Sequence, residues 1–290
     1  MDSAARVSSW VESASRALNV PLHGRSEREA AGPCPKCKMG TDRLVVFIEG
    51  NAWCRQCGWK GWWTEDKSPQ RINDAKKAKF KRQLALRNSM GRHAGDWIQY
   101  NKDVREDLWE DHGIRRAEIT RFGLGFCEKS PLAPDSRSLT IPVFYGGRLV
   151  DIRHRLLDRD SGDKYRSHIK GISPFMFNLD STKGGGVIYV VEGEKKAIVM
   201  YSCGFKPITS YPGIGFRHML PPILSKNVPD GTELVLIPDP GSFGLMGDVG
   251  KELRGRFRVS IVELFEKPDD FIIEYGPEYM ASAIDMRRPL

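Results

Sequence analysis

The chain has 290 residues, 40% hydrophobic and 28% charged, the balance of an ordinary globular protein long enough for two domains. No apolar run reaches the roughly 20 residues needed to cross a bilayer, so no membrane partner is expected. A net charge of +8 points to an acidic partner, nucleic acid first, without establishing one.

Residues 8–18 have helical apolar spacing through Trp10, Val11, Ala14 and Leu18. Then come Cys34-Pro35-Lys36-Cys37, sixteen residues, and Cys54-Arg55-Gln56-Cys57. Two C-x-x-C knuckles at this separation suit one four-thiolate zinc site, each supplying two sulfurs from a tight turn. Between them, Leu44-Val45-Val46-Phe47-Ile48 and Asn51-Ala52-Trp53 read as two strands turning at Glu49-Gly50, which makes a zinc-ribbon hairpin. Paired disulfides are the alternative. No apolar secretory segment opens the chain, so a reducing, cytoplasmic setting is expected. Cys127 and Cys203 stand apart in apolar surroundings and read as core thiols. Trp59, Trp62 and Trp63 lie beside Lys60, where they can stack on unpaired bases or fill the core of a small ribbon.

After Ser68-Pro69, residues 71–92 carry Lys76, Lys77, Lys79, Lys81, Arg82 and Arg87 along a narrow apolar stripe. This reads as a basic helix or tether, either tracking phosphates or simply solvated. Residues 96–182 mix short helices and strands: a helix signal over 109–122, and strands at 139–145 and 149–152 around Gly146-Gly147. Lys183-Gly184-Gly185-Gly186 reads as a flexible joint.

From Val187 the pattern becomes regular. Val187-Ile188-Tyr189-Val190-Val191 is a strand buried on both faces, ending at Glu192-Gly193, and a helix follows over 194–201. Further strands are expected at 206–211, 234–237 and 259–264, with a helix over 246–256. Alternating strands and helices argue for a parallel sheet, whose ligands bind beyond the carboxyl ends of the strands. Glu192, Asp239 and Asp269 each follow a predicted strand, so a sheet gathers them at one edge. Clustered carboxylates repel unless a cation joins them, which suggests Mg2+, although Asp and Gly also favour such turns for backbone reasons.

Val190-Val191-Glu192-Gly193-Glu194, the strand ending in Asp239, and Lys267-Pro268-Asp269-Asp270-Phe271 together resemble the TOPRIM domain. A four-cysteine ribbon ahead of such a domain resembles the DnaG-type DNA primases of bacteria and bacteriophages. Gly32-Pro33-Cys34-Pro35-Lys36-Cys37, Lys164-Tyr165-Arg166 and Pro174-Phe175-Met176-Phe177-Asn178-Leu179 fit the same comparison. The resemblance implies an α+β multidomain chain: a β zinc ribbon, then a mixed α/β core containing a TOPRIM-like parallel sheet with flanking helices. It divides the chain into a template-binding ribbon (1–66), a basic helical linker (67–95), the N-terminal part of a primase core (96–183), a TOPRIM domain (184–275) and a C-terminal tail (276–290).

It further implies short RNA primers made on single-stranded DNA from ribonucleoside triphosphates. Glu192, Asp239 and Asp269 would be catalytic, with Asp270 near Mg2+ or Mn2+. Arg153, Arg155, Lys164, Arg166 and Lys170 would hold template or nucleotide phosphates, and the ribbon would help read the template. No Walker loop occurs, so a separate replicative helicase is the expected partner. The chain departs from the family pattern at Gly241, where the second acid of Asp-x-Asp is missing, at Lys196 in place of an acid, and at Lys267. These departures keep open a DNA-binding accessory of replication or recombination without catalysis. A TOPRIM nuclease is a further alternative.

Overall fold

The computed structural model describes residues 3–38, 40–64, 69–158 and 164–290, and it divides into two compact units, Met1–Phe80 and Lys81–Leu290. In the first unit, helix α1 (Ser3–Leu18) precedes strands β1 (His23–Gly24), β2 (Glu29–Gly32), β3 (Leu44–Phe47), β4 (Asn51–Cys54) and β5 (Lys60–Trp62). The strands pair antiparallel in chain order. Trp10, Val11 and Ala14 of α1 pack on Ala30, Leu44, Val46 and Ala52. The predicted hairpin is β3–β4. Its neighbour β2 gave no sequence signal, because Glu-Ala-Ala-Gly lacks β-branched residues. Ala30 and Ala31 are nonetheless fully buried.

The unit boundary falls within α2 (Pro69–Ser89), the expected basic helix, on which Lys77, Lys79 and Lys81 are exposed. The Lys76 side chain and residues 65–68 lie outside the described part. A 3-10 turn (Met90–His93) leads to α3 (Ala94–Lys102), α4 (Glu106–Glu110) and α5 (Arg116–Phe122). The helix expected over 109–122 is thus broken. Gly113 adopts φ +74°, which the intervening turn needs, and an added Cβ would meet Ile273 at 3.2 Å. Trp109 lies fully buried before the break and donates its indole N–H to the Gly125 carbonyl.

Strands β6 (Gly125–Cys127), β7 (Ser138–Tyr145), β8 (Arg148–Leu156) and β9 (Tyr165–Ser167) form an antiparallel sheet in chain order. The expected joint before Val187 is ordered rather than loose. Leu179–Gly184 is a 3-10 turn with Leu179 fully buried and Thr182 Oγ1 donating to the Leu179 carbonyl.

The last part comprises β10 (Val187–Glu192), α6 (Glu194–Ser202), β11 (Ile208–Tyr211), α7 (Leu220–Asn227), β12 (Glu233–Ile237), α8 (Phe243–Leu253), β13 (Arg258–Ile261), α9 (Pro268–Tyr275), α10 (Pro277–Asp285) and β14 (Arg288–Pro289). The strand order is β11-β10-β12-β13-β14, parallel except for β14. Helices cover both faces. Val191, Val235 and Ile237 share a core with Ala197, Ile198, Phe271 and Ile272, while Ile188, Val190, Leu234 and Leu236 share another with Leu220, Leu224, Met246 and Val249. Burial on both faces explains why these strands read as unbroken apolar runs. The last residues, read as a tail, instead add α10 and the edge strand β14, and Leu290 N–H bonds the Val259 carbonyl. The chain is therefore a mixed α/β protein with several sheets.

Candidate metal centre and acidic strand ends

The four cysteine sulfurs lie within 4.8 Å of one another. Cys34 Sγ is 3.7 Å from Cys57 Sγ, and Cys37 Sγ is 3.8 Å from Cys54 Sγ. Disulfides are excluded at these separations, and all six cysteines are free. Thiolates about 2.3 Å from a tetrahedral zinc stand about 3.8 Å apart, so the set fits a structural zinc. Backbone N–H groups of Lys36 and Cys57 point at Cys34 Sγ and Cys54 Sγ. Burial raises the Cys54 thiol, but the N–H groups of Cys57 and Gln56 outweigh it and bring the thiol to about 7. The tryptophans divide. Trp63 stacks on Trp10 at 6.0 Å and donates to the Phe47 carbonyl, Trp59 packs on the same core, and Trp62 is 40% exposed.

The parallel sheet switches direction at β10, with β11 on one side and β12 on the other, the usual place for a ligand crevice. Glu192 ends β10 and Asp239 follows β12 by two residues. Glu192 accepts from the Ile214 N–H at 3.1 Å and from the Tyr211 hydroxyl at 3.4 Å. Burial, and then the neighbouring Asp239 charge, push its carboxyl above the usual range. Asp239 is not bare: Lys196 Nζ sits 2.5 and 2.6 Å from its two oxygens. Asp269, on the first turn of α9, is 1% exposed and paired to Lys195 Nζ at 2.6 Å, with its Oδ1 unpartnered. Asp270 is exposed. Glu192, Asp239 and Asp269 do not form a set of ligand atoms within 4.8 Å. Two carboxylates are the donor chemistry that Mg2+ takes alongside phosphates and water, and each of these already has a protein partner. The sequence showed Lys196 only as a departure from the family pattern and Lys195 not at all, although cations in the first turn of α6 oppose the helix dipole and so signal nearby carboxylates.

The predicted basic residues occupy different environments. Lys164 and Lys170 are exposed, and Arg166 is half-buried on β9. Arg155 donates to His112 Nε2 at 2.7 Å. Burial, with the charges of Arg155 and Lys195, pushes His112 down to about 4, which leaves it a neutral acceptor. Arg153 departs from expectation. It is only 5% exposed, and its guanidinium lies 3.1 Å from Glu194 and 3.6 Å from Asp151. Its partners are carboxylates inside the protein: Asp151, two residues back on the same face of β8, and Glu194 at the start of α6.

No protein-family model matches the chain, and no curated protein matches it. Solved structures do. The Aquifex aeolicus primase, zinc-binding and RNA polymerase domains, aligns over 98% of this chain and 86% of its own, with TM-score 0.54 and 16% identity. The RNA polymerase domain of Mycobacterium tuberculosis primase DnaG aligns over 72% of this chain and 84% of its own, with TM-score 0.51 and 19% identity. The E. coli primase catalytic core aligns over 71% and 81%, with TM-score 0.52 and 15% identity. The chain thus has the fold of the zinc-binding and RNA polymerase domains of DnaG primases.

Proposed function

We propose that this protein is a DNA primase that makes short RNA primers on single-stranded DNA from ribonucleoside triphosphates. One observation carries the reading: a single chain joins a four-cysteine centre to a primase-type core whose parallel strands end in Glu192 and Asp239. In this reading the sheet from β10 to β13 with its helices is a TOPRIM domain, and the ribbon, holding one zinc, reads the template. Glu192 and Asp239 would hold Mg2+ or Mn2+, and the ion would supply charge stabilisation at the phosphates. Lys196 balances the Asp239 charge until substrate arrives, and Lys195 does the same for Asp269. Arg155, Lys164, Arg166 and Lys170 orient template or nucleotide phosphates, with His112 aiming the Arg155 guanidinium. Arg153 positions α6 rather than touching substrate. A phage-type enzyme acting beside a separate helicase is the setting that suits this composition of parts.

A second reading has one observation in its favour. Lysine ammonium groups already neutralise two of the three acids, and Gly241 supplies none, as in a DNA-binding accessory that has lost catalysis. The test is to incubate the protein with single-stranded DNA, Mg2+ or Mn2+ and labelled ribonucleotides. Short RNA is expected, and Glu192→Gln should abolish it while DNA binding persists. No product with either metal, together with unchanged DNA binding in the variant, would overturn catalysis in favour of the accessory. Cut template would mark a nuclease.

A further inference from the structure

A second cluster of metal-ligating side chains lies in the core unit. His93 ends the 3-10 turn before α3, Asp96 stands in the first turn of α3, and His168 follows β9, 75 residues from His93. His93 Nδ1 is 2.8 Å from Asp96 Oδ2, His168 Nε2 is 3.1 Å from His93 Nδ1, and His168 Nε2 is 3.2 Å from the same Asp96 oxygen. Three donor atoms therefore form a nearly equilateral triangle. Ligands about 2.0–2.2 Å from an ion and about 90–110° apart are separated by about 2.8–3.6 Å, so the triangle has the size of one face of a coordination shell.

The surroundings are built to hold it. His168 is 4% exposed, and its Nδ1 lies 3.0 Å from His154 Nε2, while His154 Nδ1 lies 2.9 Å from Ser138 Oγ. One tautomer set satisfies the whole chain: His168 Nδ1–H donates to His154, and His154 Nδ1–H donates to Ser138. That assignment leaves the His168 Nε2 lone pair aimed into the triangle, the backing that metal-bound imidazoles use. Packing fixes the rings further, since His154 stacks on His168 and Tyr100 meets both edge-on. The opposite side is open: the His93 and Asp96 side chains are 34% and 49% exposed, which leaves room for water or another ligand to complete the shell.

We propose that His93, Asp96 and His168 form a second metal site, separate from the four cysteines and from the acidic strand ends, that binds a divalent transition ion of the zinc type. Two imidazoles and one carboxylate favour such an ion over Mg2+ or Ca2+, which prefer oxygen. The ion clips α3 to the loop after β9 and so steadies β9, which carries Arg166 and directly follows Lys164.

The probe is zinc itself, added to untagged full-length protein already loaded at the four cysteines. Elemental analysis after gel filtration should rise from one zinc per chain to two at micromolar free zinc, with a rise in Tm. Asp96→Asn and His93→Ala change partly exposed side chains and should preserve the fold by circular dichroism. Each should weaken the second zinc by about tenfold or more and remove its effect on Tm. The proposal is overturned if the unmodified protein stays at one zinc. It is equally overturned if the second zinc binds the two folded variants as tightly as before.

Discussion

Replacing Lys196 by Met tests whether its ammonium stands in for a cation at the strand ends. Methionine keeps the length of the stem and removes the charge. In the native protein the ammonium lies 2.5 and 2.6 Å from the Asp239 oxygens, with the two side chains only 12% and 18% exposed. At that distance, with an effective dielectric constant of about 20, the Coulomb attraction is about 6 kcal/mol. The desolvation that the ammonium suffers in the native fold, and that methionine avoids, offsets more than half. The expected net loss is about 2–3 kcal/mol, above an exposed pair and near the lower end for breaking a buried one. Urea unfolding followed by far-ultraviolet circular dichroism should show this loss in EDTA. With Mg2+, the variant should regain stability, because Glu192 and Asp239 then face each other without a counter-charge. Saturation to 100 times Kd corresponds to about 2.7 kcal/mol. The native protein should respond to Mg2+ far less. Equal responses in both proteins, or no loss in EDTA, would refute the idea that Lys196 holds the place of a cation.

Cys57→Ala should remove the ribbon zinc by elemental analysis and raise hydrogen exchange in β3 and β4, since a metal supplies folding energy to so small a module; retained zinc would count against the site. Gly241→Asp should tighten Mg2+ binding, measured by titration calorimetry, at a stability loss of about 1 kcal/mol. An added Cβ there meets nothing within 4 Å, but φ is +83°. Unchanged Mg2+ affinity would show that the turn does not face the ion. Asp151 gives a pH signature. Burial pushes its carboxyl from 3.8 up to about 6, against the pull of Arg153 and Ser167. The folded state holds that proton more tightly, so this group's contribution falls as pH rises from about 4 through 6, by about 3 kcal/mol in all. Asp151→Asn abolishes the slope, and the variant should gain by about that amount relative to the native protein between pH 4 and 7. A pH-independent difference would contradict the assignment.

The ribbon was legible because cysteine spacing records a local turn chemistry, and the parallel strands because burial on both faces leaves uninterrupted Val, Ile and Leu. The structure placed Glu192 and Asp239 at the strand ends as expected from that alternation. Three features left weaker traces. Strand β2 is made of small residues chosen for the space beneath α1. The break between α4 and α5 depends on the backbone at Gly113, which helical periodicity does not weigh. The lysines on Asp239 and Asp269, like the pairing of His93 with His168, join residues far apart in sequence, where no spacing rule operates.

The buried Arg153 has a consequence for inheritance and design. Its guanidinium, on β8 of the antiparallel sheet, reaches Glu194 at the start of α6, two residues beyond Glu192, while lying near Asp151 on its own strand. A forked cation can address both carboxylates, and a lysine in its place offers only a point charge. Losing either end strands a charge in the interior, the kind of loss that a protein of ordinary stability tolerates poorly. A chimaera that imports the parallel sheet with Glu194 should therefore keep an arginine at position 153 to meet it.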